Sequence, residues 1–308
     1  MEPKSRGLVV RATGSWYDVL FEGAIYPSRL KGRLRLKGSR STSPVVVGDW
    51  VEFSPEGDQT YVIESICPRQ NYIIRRASNL SKESHIIAAN IDRAMLVVTL
   101  FSPETATEFI DRFLITCEAY KIPATILLAK CDLLGEHREE VELFRHTYAL
   151  AGYEVMEISA REGIGIESLR GMLKDKTTLI AGNSGVGKST LISTLEPGLE
   201  IRTAEISQSH NKGRHTTTFS AVYPLSQGGY IIDTPGVKGF GLLEIDDREL
   251  WHYYPEMLSI GDGCKFFNCT HTHEPKCAVI EAVKEGRIAY TRYESYLKIL
   301  DEDDKYRK

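Results

Sequence analysis

Gly182-Asn183-Ser184-Gly185-Val186-Gly187-Lys188-Ser189 has the spacing G-x-x-x-x-G-K-[ST], and these residue types in this order suit one kind of chemistry. The glycines let the backbone fold around an anion with its N–H groups pointing inward. A helical stretch from Thr190, over 190–195, adds a dipole that favours negative charge at its start. Lys188 is placed to reach the β- and γ-phosphates of a nucleotide, and the Ser189 hydroxyl to hold Mg2+. The apolar run 177–181 reads as the strand that delivers the loop. A chance glycine turn explains neither flank.

Downstream, Ile231-Ile232-Asp233-Thr234-Pro235-Gly236 sets a carboxylate at the end of an apolar strand. From that position Asp233 can hold the metal, often through water, and the Gly236 N–H can meet a γ-phosphate. An ordinary strand–turn Asp is the other reading, and its place behind a phosphate loop argues against it. Base identity lies upstream. Leu127-Leu128-Ala129-Lys130-Cys131-Asp132 is similar to the guanine motif N-K-x-D, in which the Asp accepts from N1–H and N2–H and the Lys stem covers the base. Adenine lacks that donor pair and leaves the carboxylate unpaired. Glu157-Ile158-Ser159-Ala160 is similar to the S-A motif, whose backbone N–H meets guanine O6. Each motif is weak alone, but both stand at the ends of expected strands, 124–129 and 153–158.

The order of these motifs is unusual. Small GTPases carry the phosphate loop first and the guanine motifs last, whereas here the guanine motifs come first. The pattern predicts a circularly permuted domain, which a sheet tolerates when its former termini lie close together.

A separate constellation is Cys264-x4-Cys269-x-His271-x5-Cys277, with His273 as a competing histidine and Glu274 as a poor substitute. Four N/S ligands this close suit one structural Zn2+ with no position left open for substrate. Six cysteines in the chain are too few for a disulfide scaffold.

The remaining elements must position these groups. A chain of 308 residues exceeds one ordinary domain. Its 42% hydrophobic and 26% charged residues are those of a globular protein. No apolar run approaches a membrane span, and residues 1–6 lack the apolar stretch of a secretory signal, so the expected compartment is the cytoplasm, with no membrane partner. Short strands are expected over 8–12, 16–21, 24–29, 33–37, 49–53 and 61–66, giving a small OB-type barrel. Residues 1–40 carry nine Lys/Arg against three acids, and 41–66 carry five acids and no base. The six bases between Arg29 and Arg40 make either a solvated face or a nucleic-acid platform. From 92 onward strands and helices alternate: strand 94–100, helix 104–120, strand 124–129, helix 138–151, strand 153–158, helix 166–173, strand 177–181 and strand 230–232. Past 245 short helical stretches surround the cysteines. The fold class is multidomain: an OB-type β-barrel (1–75), a circularly permuted P-loop α/β GTPase domain (76–243) and a mostly helical zinc-binding domain (244–308).

Taken together, these motifs resemble the RsgA/YjeQ family of circularly permuted, small-ribosomal-subunit-dependent GTPases. The resemblance extends to the zinc spacing and to Lys212-Gly213-Arg214-His215-Thr216-Thr217-Thr218, which is similar to the family's G-R-H-T-T switch. It implies GTP hydrolysis in late maturation of the small subunit, rRNA binding, and GTP or GDP with Mg2+ as ligand. Thr217 would meet Mg2+ and the γ-phosphate, and His215 would orient water. Two departures stand out: Ala129 occupies the usual Asn or Thr position, which implies some loss of affinity, and Val237 follows the D-x-x-G, which implies slow intrinsic turnover. Rival readings are an RNA-binding module in which GTP is only a switch ligand, and a P-loop ATPase. Nothing in the sequence suggests more than a monomer.

Overall fold

In a computed structural model, residues 4–32, 44–57, 60–76, 84–199, 220–234, 246 and 248–305 are described. The strand expected over 33–37 lies outside them.

Five strands close the N-terminal barrel: β1 (Ser5–Thr13), β2 (Trp16–Phe21), β3 (Ala24–Leu30), β4 (Trp50–Pro55) and β5 (Tyr61–Ile66). Their order is β1-β2-β3-β5-β4, with β4 returning to β1 and β3 running parallel to β5. Val9, Tyr17, Val19, Val51, Phe53 and Ile63 fill its interior. β1 is buried on both faces for a reason visible in its pleat. Val9 points into the barrel, while Leu8 and Val10 join the central core of the next domain. Two acids of 41–66 fold back onto bases of 1–40: Lys4 meets Glu52 and Glu64, and Lys31 meets Glu64.

An antiparallel hairpin, β6 (Tyr72–Arg76) and β7 (Ser84–Ala89), connects the barrel to the α/β domain. Neither of its strands is expected from the sequence pattern. The central domain runs β8 (Arg93–Val98), α1 (Thr107–Ala119), β9 (Ala124–Ala129), α2 (Arg138–Leu150), β10 (Glu154–Ile158), α3 (Ile166–Leu173), β11 (Thr177–Ala181), α4 (Lys188–Leu195), β12 (Ala221–Pro224) and β13 (Tyr230–Asp233). The sheet order is β10-β9-β8-β11-β13-β12, parallel except for β12. The phosphate-loop strand β11 therefore sits mid-sheet, although it is fourth of the parallel strands in the chain. β12 also pairs with β1, so one sheet continues into the barrel.

Strand residues alternate between two cores. Ala94, Leu96, Val98, Ile126 and Leu128 face α1 and α2, while Met95, Val97, Leu127 and Ala129 face α3 and α4. The C-terminal domain holds α5 (Pro255–Gly261), α6 (Ala278–Lys284) and α7 (Tyr290–Lys305) around Tyr254, Met257, Val279 and Tyr296. Ile115 of α1 belongs to that core too, so α1 is shared between domains. Among the described residues no helix is long and apolar enough to cross a membrane.

Candidate functional site

The parallel strands β8, β9, β10, β11 and β13 all end at one edge of the sheet, the usual place for a ligand in an open α/β fold. The phosphate loop, the guanine-type motifs and Asp233 converge there. Gly182 leaves β11 at φ 147°, and a Cβ on it would stand 2.4 Å from the Val97 carbonyl oxygen, so no side chain fits. Val186 is buried beneath the loop, whereas Ser184 and Gly185 face solvent. Gly187 precedes α4, whose first turn carries Lys188, Ser189 and Thr190. Asn183 and Ser189 are half-buried.

The Lys188 ammonium donates to the carbonyls of Gly182 (2.5 Å) and Asn183 (2.8 Å). Burial pushes it below its ordinary value, and Asp233 acts in the opposite sense. Burial likewise pushes the Asp233 carboxyl up, against the pull of Lys188. Asp233 Oδ1 and Thr234 Oγ1 are buried with no hydrogen-bond partner among the described residues. Unpaired buried oxygens next to an ammonium are what a hydrated cation with its phosphate would satisfy. The residues present therefore fit Mg2+.

Lys130 closes β9 in the left-handed region (φ 60°). Its ammonium donates to Ser102 O at 2.6 Å and to Gly185 O at 2.9 Å. Asp132 follows, half-buried in a short 3-10 turn (Cys131–Leu133). Ala129 is buried in the core beneath α3 and α4, so the link to the phosphate loop is made by Lys130. Ser159 is buried at the end of β10. Its N–H donates to Ile164 O (3.0 Å), and its hydroxyl accepts from the Glu162 N–H (3.1 Å). The Ala160 carbonyl accepts from the Thr194 hydroxyl of α4 at 3.4 Å.

The segment beside Lys130 differs from the helix that the sequence pattern predicts there. The helix expected from 104 starts at Thr107, because residues 99–106 close into a turn. The Thr105 N–H donates to Thr99 O (2.9 Å), the Thr99 N–H donates to Thr105 Oγ1 (3.1 Å), and the Thr99 hydroxyl donates to Pro103 O. That turn presents Ser102 O to Lys130. His215, Thr217 and Gly236, with the rest of 212–218 and Val237, lie outside the described residues.

In the C-terminal domain, donor atoms of Cys264, Cys269, His271 and Cys277 lie within 4.8 Å of one another. The Cys264 and Cys277 sulfurs are 3.8 Å apart, and His271 Nδ1 is 3.5 and 3.3 Å from them. A tetrahedral metal with bonds of about 2.3 Å to sulfur spaces two thiolates by roughly 3.8 Å, so the residues fit zinc. His273 stays outside, exposed and bonded to Thr272. Glu274 is no ligand but a staple. Its carboxylate accepts from the Thr270 N–H and hydroxyl and from the N–H groups of Thr272 and His273. Burial works to raise that carboxyl, but these hydrogen bonds outweigh it and hold it at about 2.

The chain matches the RsgA GTPase family over residues 66–243 and the RsgA N-terminal domain over 6–63. The small ribosomal subunit biogenesis GTPase RsgA of Bacteroides fragilis is 51% identical over 306 residues, covering 98% of this chain and 99% of that one. Its counterpart in Christiangramia forsetii is 48% identical over 308 residues, with 98% of each covered. The crystal structure of YjeQ from Thermotoga maritima superimposes with a TM-score of 0.77 at 34% identity, covering 97% of this chain and 98% of that one. The crystal structure of YloQ, a circularly permuted GTPase, gives 0.75 at 28% identity over 100% and 97%. Sequence, strand order and site geometry agree with these likenesses: the chain belongs to the RsgA family of circularly permuted GTPases.

Proposed function

We propose that this GTPase hydrolyses GTP on the small ribosomal subunit during its late maturation, gripping rRNA and leaving after hydrolysis. The observation that carries the nucleotide half is the Lys130 bridge, one ammonium joining the guanine-type motif to the phosphate loop. In this reading Asp132 accepts from guanine N1–H and N2–H, the Lys130 stem covers the base, and the Ser159–Ala160 backbone meets O6. The N–H groups of 182–187 surround the phosphates, and Lys188 reaches the β- and γ-oxygens. Ser189, Thr217 and Asp233 would hold Mg2+, which supplies charge neutralisation on the β- and γ-phosphates. The Gly236 N–H meets the γ-phosphate. His215 orients the water that attacks the γ-phosphorus as the bond to the bridging oxygen breaks, giving GDP and phosphate.

Cys264, Cys269, His271 and Cys277 would hold one structural zinc, which keeps the C-terminal domain folded. Two exposed features suit RNA. Arg29 stacks its guanidinium 4.0 Å from the Trp16 ring centroid on the barrel. Phe267, fully exposed, follows Lys265 by two positions in the loop between two cysteines of the cluster. The protein acts as a monomer in the cytoplasm, where its substrate subunit is assembled. Co-sedimentation with small ribosomal subunits tests this. Binding is expected with a non-hydrolysable GTP analogue and loss of it with GDP; equal binding in both states contradicts the cycle.

A further inference from the structure

The geometry points to Arg292 as a positioning residue for the nucleotide site, acting through Asp111 and helix α1 on the turn that holds Lys130. This rests on reading Lys130 and Asp132 as the guanine side of the site.

Arg292 lies on α7 and is fully buried at the seam between the C-terminal and GTPase domains. Its Nη1 donates to Asp111 Oδ1 of α1 at 2.5 Å, and its Nε and Nη2 donate to the Glu256 carboxylate of α5 at 2.7 and 3.2 Å. The rings of Tyr148 and Tyr153 from the GTPase domain, and of Tyr254, surround the guanidinium at 4.6–5.8 Å. A fork fixed by three charged hydrogen bonds permits one placement of α7 against α1. An apolar contact tolerates sliding, so the value of this buried cation is geometric more than energetic.

Both ends of the seam lead to function. On α7, Tyr293 and Tyr296, next to Arg292 and one turn on, donate their hydroxyls to the carbonyls of His271 (2.7 Å) and Thr270 (2.6 Å). The same helix thus holds the cysteine–histidine loop. On α1, four residues separate Asp111 from Ala106, where the 99–106 turn ends. That turn gives Ser102 O to Lys130, and Pro103 lies 3.5 Å from a Cβ placed on Gly185. A displacement of the C-terminal domain therefore reaches the contact between the guanine motif and the phosphate loop. By thermodynamic reciprocity, nucleotide at that contact also bears on the seam.

Two measurements on the full-length protein test this independently. In hydrogen exchange on the unmutated protein, a non-hydrolysable GTP analogue should protect amides of 107–119 and of 290–297. Protection confined to the nucleotide loops, with 290–297 unchanged, overturns the proposal. In the second, Arg292→Met should weaken GTP and GDP binding at least fivefold and raise KM while kcat at saturation holds. Arg292→Lys, which keeps a cation between the carboxylates, should recover part of the loss. A merely structural role lowers the active fraction and melting temperature without moving KM. A folded Arg292→Met that binds GTP within twofold of the parent sinks the proposal, and the exchange experiment decides it should that variant not fold. Failure of the parent to prefer GTP over ATP in the same titration instead rejects the guanine reading itself.

Discussion

The Lys130 ammonium donates to the Gly185 carbonyl at 2.9 Å, joining a residue at the end of β9 to the loop behind β11, across the intervening strand β8. Its second bond, to Ser102 O, brings in the turn behind β8, so three consecutive strand ends share one cation. Ala129, in the position where an Asn side chain could make such a link, is instead buried in the core.

Lys130→Met removes both bonds while keeping an aliphatic stem over the base. Hydrogen bonds from a charged group contribute about 1.5–3 kcal/mol each when buried, and less at a half-exposed site, so a loss of about 2 kcal/mol, roughly thirtyfold in GTP affinity, is expected. Titration with a fluescent guanine nucleotide measures it. Unchanged affinity would show that the bridge does not organise the site.

Asp132→Asn replaces the acceptor pair for guanine N1–H and N2–H with an amide that can donate. GTP binding should fall at least tenfold and xanthosine triphosphate should become the better ligand. Competition between the two nucleotides reads this directly. No shift towards xanthosine would remove the base assignment and restore the ATPase reading.

Much of the architecture was legible in the sequence because strands covered on both faces read as short continuous apolar runs, and a helix packed on them reads by its own period. β9, β11 and α3 match their expected limits for those reasons. The missed strands are those with little pattern of their own. β12 has four residues ending in Pro224, and β6 and β7 are short strands separated by a polar stretch. In the site, motif spacing picked out Lys130 and Asp132 but not the partner Ser102. Glu104 and Thr105 read as helix until the Thr99–Thr105 bonds are seen to close a turn. By sequence Glu274 is only a poor substitute ligand, and its hydrogen bonds to the loop backbone show it to be a staple. Arg292 and Asp111 are 181 positions apart and carried no local signal.

Asp233 links the site to pH. Because burial raises its carboxyl above the ordinary value of 3.8, the folded chain holds that proton to higher pH than the unfolded chain does. The associated stability is full below the ordinary value and is lost as pH rises through the elevated one. Asp233→Asn should therefore be more stable than the parent in the nucleotide-free state, by a margin that grows from pH 4 to pH 7 in urea denaturation. The same variant should lose roughly a hundredfold in Mg2+-dependent turnover. A stability difference that shrinks with rising pH contradicts the assignment.

The cysteine–histidine cluster should carry one zinc per chain, read by elemental analysis of the purified protein. Cys277 also accepts from the Ile280 N–H and so caps α6, giving Cys277→Ala two ways to harm the domain. Zinc content should fall to background, and the C-terminal helices should exchange amide hydrogens far faster. Full protection of α6 and α7 without metal would assign their folding to the apolar core alone.

The claim that this GTPase is driven by the ribosome is tested most directly by its turnover with GTP, alone and with purified small ribosomal subunits, beside ATP and beside His215→Ala. Strong stimulation by subunits is expected with GTP only. In His215→Ala the stimulated rate should be lost while GTP affinity and subunit binding persist. Equal slow rates with and without subunits would contradict the claim and leave a guanine-binding RNA module in which turnover is incidental.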